Sequence, residues 1–196
     1  MSTTTAPAVR SFAPADLAYV AVFAALIAAL ALTPAIPIGT LGVPITLQTL
    51  GVALAGLCLG AWRGAAAVAL YLMVGLAGLP VFSGGRAGLA VLVGPTGGYL
   101  IGFLFSAFAV GLVAQWAVRR GLNAWTPVLF FAGVFAARVL IIWPLGVAGI
   151  ARAVGKPISE IWLSDLAFWP GDILKAVVAS VIAFAVHKAF PRLLGR

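Results

Sequence analysis

Acidic side chains are scarce in this chain: Asp16, Glu160, Asp165 and Asp172 are the only ones in 196 residues. Cysteine and histidine occur once each, as Cys58 and His187. A lone cysteine excludes a disulfide within the chain and a cysteine metal cluster, and a lone histidine argues against a histidine metal site. No glycine-rich stretch ends in the Gly-Lys-Ser/Thr of an ATP-binding loop, so ATP hydrolysis by this chain is not expected. Charged residues of both signs make up only 8% of the sequence, whereas 64% is hydrophobic. With a mean hydropathy of +1.19, a chain of 20.0 kDa cannot bury its apolar surface within itself. Its solvent must be largely lipid.

The apolar residues fall into runs, and about six spans fit at roughly 20 residues each. The expected spans are 16–33, 46–61, 65–79, 99–118, 125–149 and 170–189. Pro34 and Pro37 end the first, Arg63 and Gly64 mark a tight turn, and Pro144 breaks or kinks the fifth. "ALAL" before Thr33 resembles a small-residue cleavage site. The run from Leu17 to Thr33 is long for a signal-peptide core, however, and Asp16 stands directly before it, so we expect a retained span. Residues 1–13 read as a disordered cytoplasmic tail and 14–196 as a single membrane domain. The segment 151–169, with its charges and tryptophans, reads as an interfacial loop with a short helix.

The net charge of +8 would suggest nucleic acid in a soluble protein. Here the cations punctuate apolar runs, so they read as topology signals, and no nucleic-acid partner is expected. With the amino terminus in the cytoplasm, Arg10, Arg63, Arg119, Arg120, Lys188, Arg192 and Arg196 all fall inside, while Arg86, Arg152 and Lys156 remain outside. This asymmetry favours cytoplasmic placement of both termini in an all-α integral membrane protein.

That orientation brings three motifs to one external face. The first is "WPGDILKAV", where Asp172 and Lys175 lie three residues apart on one helix face and can pair. Pro170 suits a first helical position, and an acid in the first turn suits the helix dipole, so Asp172 has a purely structural reading. The dipole does not explain Lys175: a cation in the second turn opposes it and is costly against lipid; the pair could be a mere helix-anchoring feature, but ionisable groups within spans mark function by default, which favours a binding site. The second motif is "FSGGRAGLAVLVGPTGGYLIGF". Gly84 and Gly85 allow a tight turn with exposed N–H groups, Arg86 can grip an anion by a two-pronged contact, and Thr96 can cap the fourth span. Its bland reading is a flexible loop with a solvated arginine. The third is "VPITLQTLGV", which places Gln48 at the start of a span, where glutamine is more often interhelical glue than a ligand contact. Arg138, in mid-span, has no evident partner: an acid, backbone carbonyls and a cytoplasmic cavity are all open. On the first span Ala21, Ala25 and Ala29, with Ala24 and Ala28, form a smooth strip on one helix face for close helix contact, either within the chain or with a partner.

Taken together, "VPITLQTLGV", "GGRAGLAVLVGPTGGYLIGF" and "FWPGDILKA" resemble the BioY family, the biotin-specific S components of energy-coupling factor (ECF) transporters. The resemblance covers the chain after the tail. It implies six transmembrane helices with a ligand pocket near the external face of the bacterial cytoplasmic membrane. It also implies biotin as ligand with no cofactor, and a transmembrane T component and two ATPase subunits as partners, docked through the alanine strip. An ionised Asp172 can accept a ureido N–H. Lys175 can donate to the ureido oxygen or hold Asp172. Arg86 suits the carboxylate, with Gln48 or Tyr99 as secondary contacts, and Phe82 or Trp169 suit the apolar chain. The loop after the third span would act as a lid.

Three alternatives compete, one of them a purely structural membrane subunit, which would leave Lys175 and Arg86 unexplained. An S component for another vitamin would share the helical body but lack the "PGD..K" and "GPTGGY" pieces. A membrane-embedded enzyme could use Asp172 and Lys175 as acid and base, but the sequence offers no Ser–His pair, no metal cluster and no second external carboxylate at a convincing position.

Overall fold

Long helices form where the apolar runs are longest. The computed structural model describes residues 14–36 and 43–194, so the expected tail at 1–13 lies outside the described residues. The long helices are α1 (Pro14–Ala31), α2 (Gln48–Leu59), α3 (Ala61–Leu76), α4 (Gly97–Arg119), α5 (Thr126–Val154) and α6 (Trp169–Ala189). Shorter helical turns occupy Ser83–Gly85, Ala90–Val93, Ile158–Ile161 and Ser164–Phe168. Among the described residues no strand forms. Single antiparallel bridges join Ile36 to Ile45 and Phe82 to Arg86.

Four helical segments are long and apolar enough to cross a membrane: Pro14–Ala31, Gly97–Arg119, Thr126–Val154 and Ile158–Ala189. Helices α2 and α3 are apolar but shorter. Large apolar side chains such as Val22, Met73, Phe105, Leu112, Leu140 and Val181 point outward on these helices, as expected of an all-helical multi-pass membrane protein whose solvent is hydrocarbon.

Helix α2 lies at the centre, with every residue from Gly51 to Leu59 buried. The chain reverses between α2 and α3 at Gly60, whose φ of 79° and ψ of −177° suit a residue without a Cβ. This corrects the expected turn at Arg63 and Gly64, which lie in the first turn of α3. Gly64 serves packing instead: a Cβ there would lie 2.8 Å from the Ala55 carbonyl oxygen, so α3 folds back tightly on α2. Similarly, a Cβ on Gly98 at the start of α4 would collide with the Leu145 carbonyl of α5.

Pro144 does not break α5. The chain stays helical through a wide π turn at Arg138–Ile142, in which the Trp143 N–H reaches the Arg138 carbonyl. Proline cannot donate to the carbonyl four residues back, and the wider turn absorbs that lost bond. The π turn begins at Arg138, the residue the sequence left without a partner.

A candidate ligand-binding site

The amino-terminal ends of α2, α4 and α6 converge at one end of the bundle, with the middle of α5 beside them. They enclose a cavity whose wall includes Gln48, Arg86, Tyr99, Arg138, Asp172 and Lys175. Much of the rest is apolar, from residues such as Val43, Phe82, Leu100, Phe103, Ile142 and Phe168. The Ile36–Ile45 bridge, with bonds of 3.0 and 2.8 Å, secures Ile45 within the segment that lines the cavity from Val43 to Thr46.

Two carboxylates and two cations make a continuous network. Asp172 Oδ1 lies 2.6 Å from Lys175 Nζ, and Asp172 Oδ2 lies 2.6 Å from Arg138 Nε. Arg138 Nη2 reaches Asp165 Oδ2, also at 2.6 Å. The side chain of Asp165 is 0% exposed and that of Arg138 only 7%. In so dry a place unpaired charges would be expensive, and their mutual compensation makes the burial tolerable. Neutral donors complete the set. The Tyr99 hydroxyl donates to Asp165 Oδ1 at 2.5 Å and Trp169 Nε1 donates to Asp165 Oδ2 at 3.1 Å. Thr49 donates to Asp172 Oδ1 at 3.1 Å, and Lys175 donates to the Thr46 carbonyl at 2.9 Å.

Asp172 therefore turns its carboxylate toward side chains of α2, α5 and α6 and makes no side-chain cap at the start of α6. Lys175 pairs with it, as their spacing of three residues led us to expect. Arg138 pairs with acids, one of the three options its sequence position left open. Asp165 was missed. The argument that no second carboxylate sat convincingly on this face is corrected: the turn Ser164–Phe168 carries Asp165 inward beneath Tyr99 and Trp169. Its signal was present in the sequence, as an acid just ahead of the "PGD..K" motif and four residues before Trp169, in a chain with only four acids.

The other candidates are placed as follows. Gln48 is buried and its Nε2 donates to the Tyr71 hydroxyl at 2.8 Å, which in turn donates to the Val81 carbonyl at 3.1 Å. Arg86 is half-buried in the cavity wall, with Nε donating to the Ser83 carbonyl at 3.0 Å. Gly84 and Gly85, at φ of 72° and 71°, are exposed and turn the chain between Phe82 and Arg86. They are not among the residues lining the cavity. Phe82 lines it, and Trp169 lies behind the charge network, beside a second, smaller cavity. Thr96 does not cap α4: its buried hydroxyl makes no such bond and lines the cavity. Ala21, Ala25 and Ala29 are all exposed on α1, while Ala24 and Ala31 face the core. Among the described residues no cluster of His, Cys, Asp or Glu suits a metal.

A helical multi-pass membrane protein with a mostly apolar pocket and a buried charge network in its wall belongs to the class that captures small solutes at a membrane. The BioY family profile matches residues 2–192, and the chain belongs to the BioY family. It is 41% identical over 182 residues to the biotin transporter BioY of Rhizobium etli, covering 92% of this chain and 97% of that one. It is 43% identical over 191 residues to the biotin transporter BioY of Rhodobacter capsulatus, covering 91% and 96%. Among solved structures, the crystal structure of the S component for biotin from an ECF-type ABC transporter superposes with a TM-score of 0.83 at 32% identity, covering 91% of this chain and 95% of that one. These relatives are transport proteins rather than enzymes.

Proposed function

We propose that this chain binds biotin in the cavity and serves as the substrate-specific S component of an ECF-type transporter in the bacterial cytoplasmic membrane. The observation that carries this reading is the distribution of polarity along the cavity wall. Asp172, Lys175 and Arg138 form a charged cluster, Arg86 supplies a separate cation, and an apolar surface completes the wall. Biotin has the same pattern: a ureido ring rich in hydrogen bonds, an apolar chain, and a carboxylate at the far end. In this reading Asp172 accepts a ureido N–H, Lys175 holds Asp172, Arg86 receives the carboxylate, and Gln48 and Tyr99 lie close to the ligand. Gly84 and Gly85 shape the turn that presents Arg86.

The six long helices are read as six spans, with α2 and α3 as a short pair wrapped by the others and both termini in the cytoplasm. The arginine and lysine asymmetry supports this orientation. A transmembrane T component and two ATPase subunits supply the energy. The exposed strip Ala21, Ala25 and Ala29 is the surface that meets the T component, since small residues four apart permit close helix approach. The decisive experiment is equilibrium binding of labelled biotin to the purified chain in detergent. Saturable binding competed by unlabelled biotin is expected; its absence in a monodisperse, folded preparation would refute the reading.

A further inference from the structure

Helices α1 and α6 both pack against α2 but barely touch each other. Between them, at the carboxyl-terminal ends of α2 and α6, a cleft of about 630 Å³ remains. It lies at the end of the bundle opposite the ligand cavity, and its volume falls in the range of small-molecule sites, about 300–1,000 Å³. The wall is largely apolar, built from Phe23, Leu59, Val186, Ala189, Phe190 and Leu193. Tyr19, Ala189, Phe190 and Arg192 are exposed, so the cleft opens outward. What lies outside a membrane helix at that level is lipid. Water gains little from apolar walls, and an empty cleft would forfeit the dispersion contacts of its lining.

The charges of the wall say which lipid. Asp16 and Arg63 pair at 2.9 Å and cancel each other. Arg63 is held further by the carbonyls of Leu59 and Leu193. Arg192 is exposed and, among the described residues, makes no hydrogen bond or ion pair. The lining therefore carries one uncompensated positive charge beside an apolar slot. We propose that this cleft binds an anionic phospholipid, with one acyl chain lying between α1 and α6 and the phosphate on the Arg192 guanidinium. A guanidinium can grip two phosphate oxygens at once. A phosphodiester such as that of phosphatidylglycerol brings the single negative charge the wall lacks, whereas a choline headgroup adds a cation next to Arg192. The topology read from the arginine and lysine asymmetry puts this end at the cytoplasmic face, where basic pockets between membrane helices receive anionic headgroups. The proposal needs only that the chain spans a membrane, and it stands apart from the identity of the ligand at the other end.

The test uses the purified chain in detergent. Its thermal midpoint is measured with added phosphatidylglycerol, with phosphatidylcholine of the same acyl chains, and with glycerol 3-phosphate, which has the phosphate but no chains. Native mass spectrometry counts the lipids that stay bound. Phosphatidylglycerol should raise the midpoint by about 5 °C at saturation and remain as a single bound molecule. Phosphatidylcholine should raise it less, and glycerol 3-phosphate should leave it unchanged. Arg192→Gln should erase the difference between the two lipids. Ala189→Trp, or Ala189→Phe if the first does not fold, should fill the cleft and abolish both shifts. Both positions lie on the exposed surface, so a monodisperse product is expected from each. Equal shifts from the two lipids in the unmodified chain would overturn the proposal, as would a preference that survives Arg192→Gln. A shift from glycerol 3-phosphate as large as that from phosphatidylglycerol would overturn it by making this a site for free phosphate. Lipid retention unchanged in the Ala189 variants, with association with a T component lost, would overturn it by giving the cleft to a protein partner.

Discussion

Two arginines hold carboxylates at opposite ends of this bundle, and they differ in what they leave unused. Arg63, in the first turn of α3, bonds Asp16 through Nη1 at 2.9 Å, the Leu193 carbonyl through Nη2 at 2.6 Å and the Leu59 carbonyl through Nε at 3.1 Å. Each of its nitrogens serves the chain itself, and the pair is partly wet, with side chains 15% and 25% exposed. It ties the start of α1 and the end of the chain to the α2–α3 turn. Arg138 lies in the middle of a long helix, is nearly dry, and holds two carboxylates while Nη1 has no hydrogen-bond partner among the described residues. An arginine that satisfies itself entirely within the fold is a fastener. One that is buried yet incompletely bonded keeps a donor that the fold itself does not use.

The strongest way to break this contrast is at Asp172. Asp172→Asn removes the carboxylate shared by Arg138 and Lys175, and breaking a buried pair costs about 3–5 kcal/mol. Biotin affinity should fall steeply, and the double variant with Lys175→Ala should bind little worse than the poorer single variant, because the two act as a unit. Titration calorimetry on both singles and the double, alongside folded yield, checks this. Near-native affinity in a folded Asp172→Asn protein would put the site elsewhere. Next is Arg86→Ala, expected to weaken biotin by about 1.5–3 kcal/mol and a biotin amide much less. Equal losses for both ligands would move the carboxylate contact to another group.

The remaining predictions leave ligand affinity untouched. Ala25→Trp on the exposed face of α1 should block association with a T component, read by co-purification, while biotin binding persists. Joint loss of both would mean that the strip packs within the chain. Arg63→Ala should lower thermal stability in detergent by about 1 kcal/mol with no change in biotin affinity; a large loss of affinity would erase the distinction between the two ends. The smallest perturbation is a single cysteine near Lys156 or Arg119, each an exposed position, on a Cys58→Ser background. An impermeant thiol reagent applied to intact cells should label the first and spare the second, and labelling near Arg119 would invert the topology.

Helix positions were legible because apolar run length is a local property, and α4 and α6 begin and end within two residues of expectation. The α2–α3 turn was not, because "LGAWRGA" offers two glycines and local sequence does not choose between them. Packing chose: Gly64 is needed where α3 crosses Ala55 and Gly56, leaving Gly60 to turn. In the site, Asp172 and Lys175 were legible because they sit three apart on one helix. The partners of Arg138 lie 27 and 34 residues away on other elements, beyond the reach of any periodicity argument. Asp165 looked like an interfacial loop charge because its burial depends on Tyr99, 66 residues earlier.

The buried network also has an electrical consequence. Two cations and two carboxylates sum to zero. A single uncompensated charge moved through a membrane field carries work of up to about 2.3 kcal/mol per 100 mV, whereas a neutral cluster carries almost none. The cell can therefore energise or discharge its membrane without driving this end of the protein toward either face. The network itself should be indifferent to voltage, so that a charged ligand and Arg86 are the groups through which the membrane potential can act on capture.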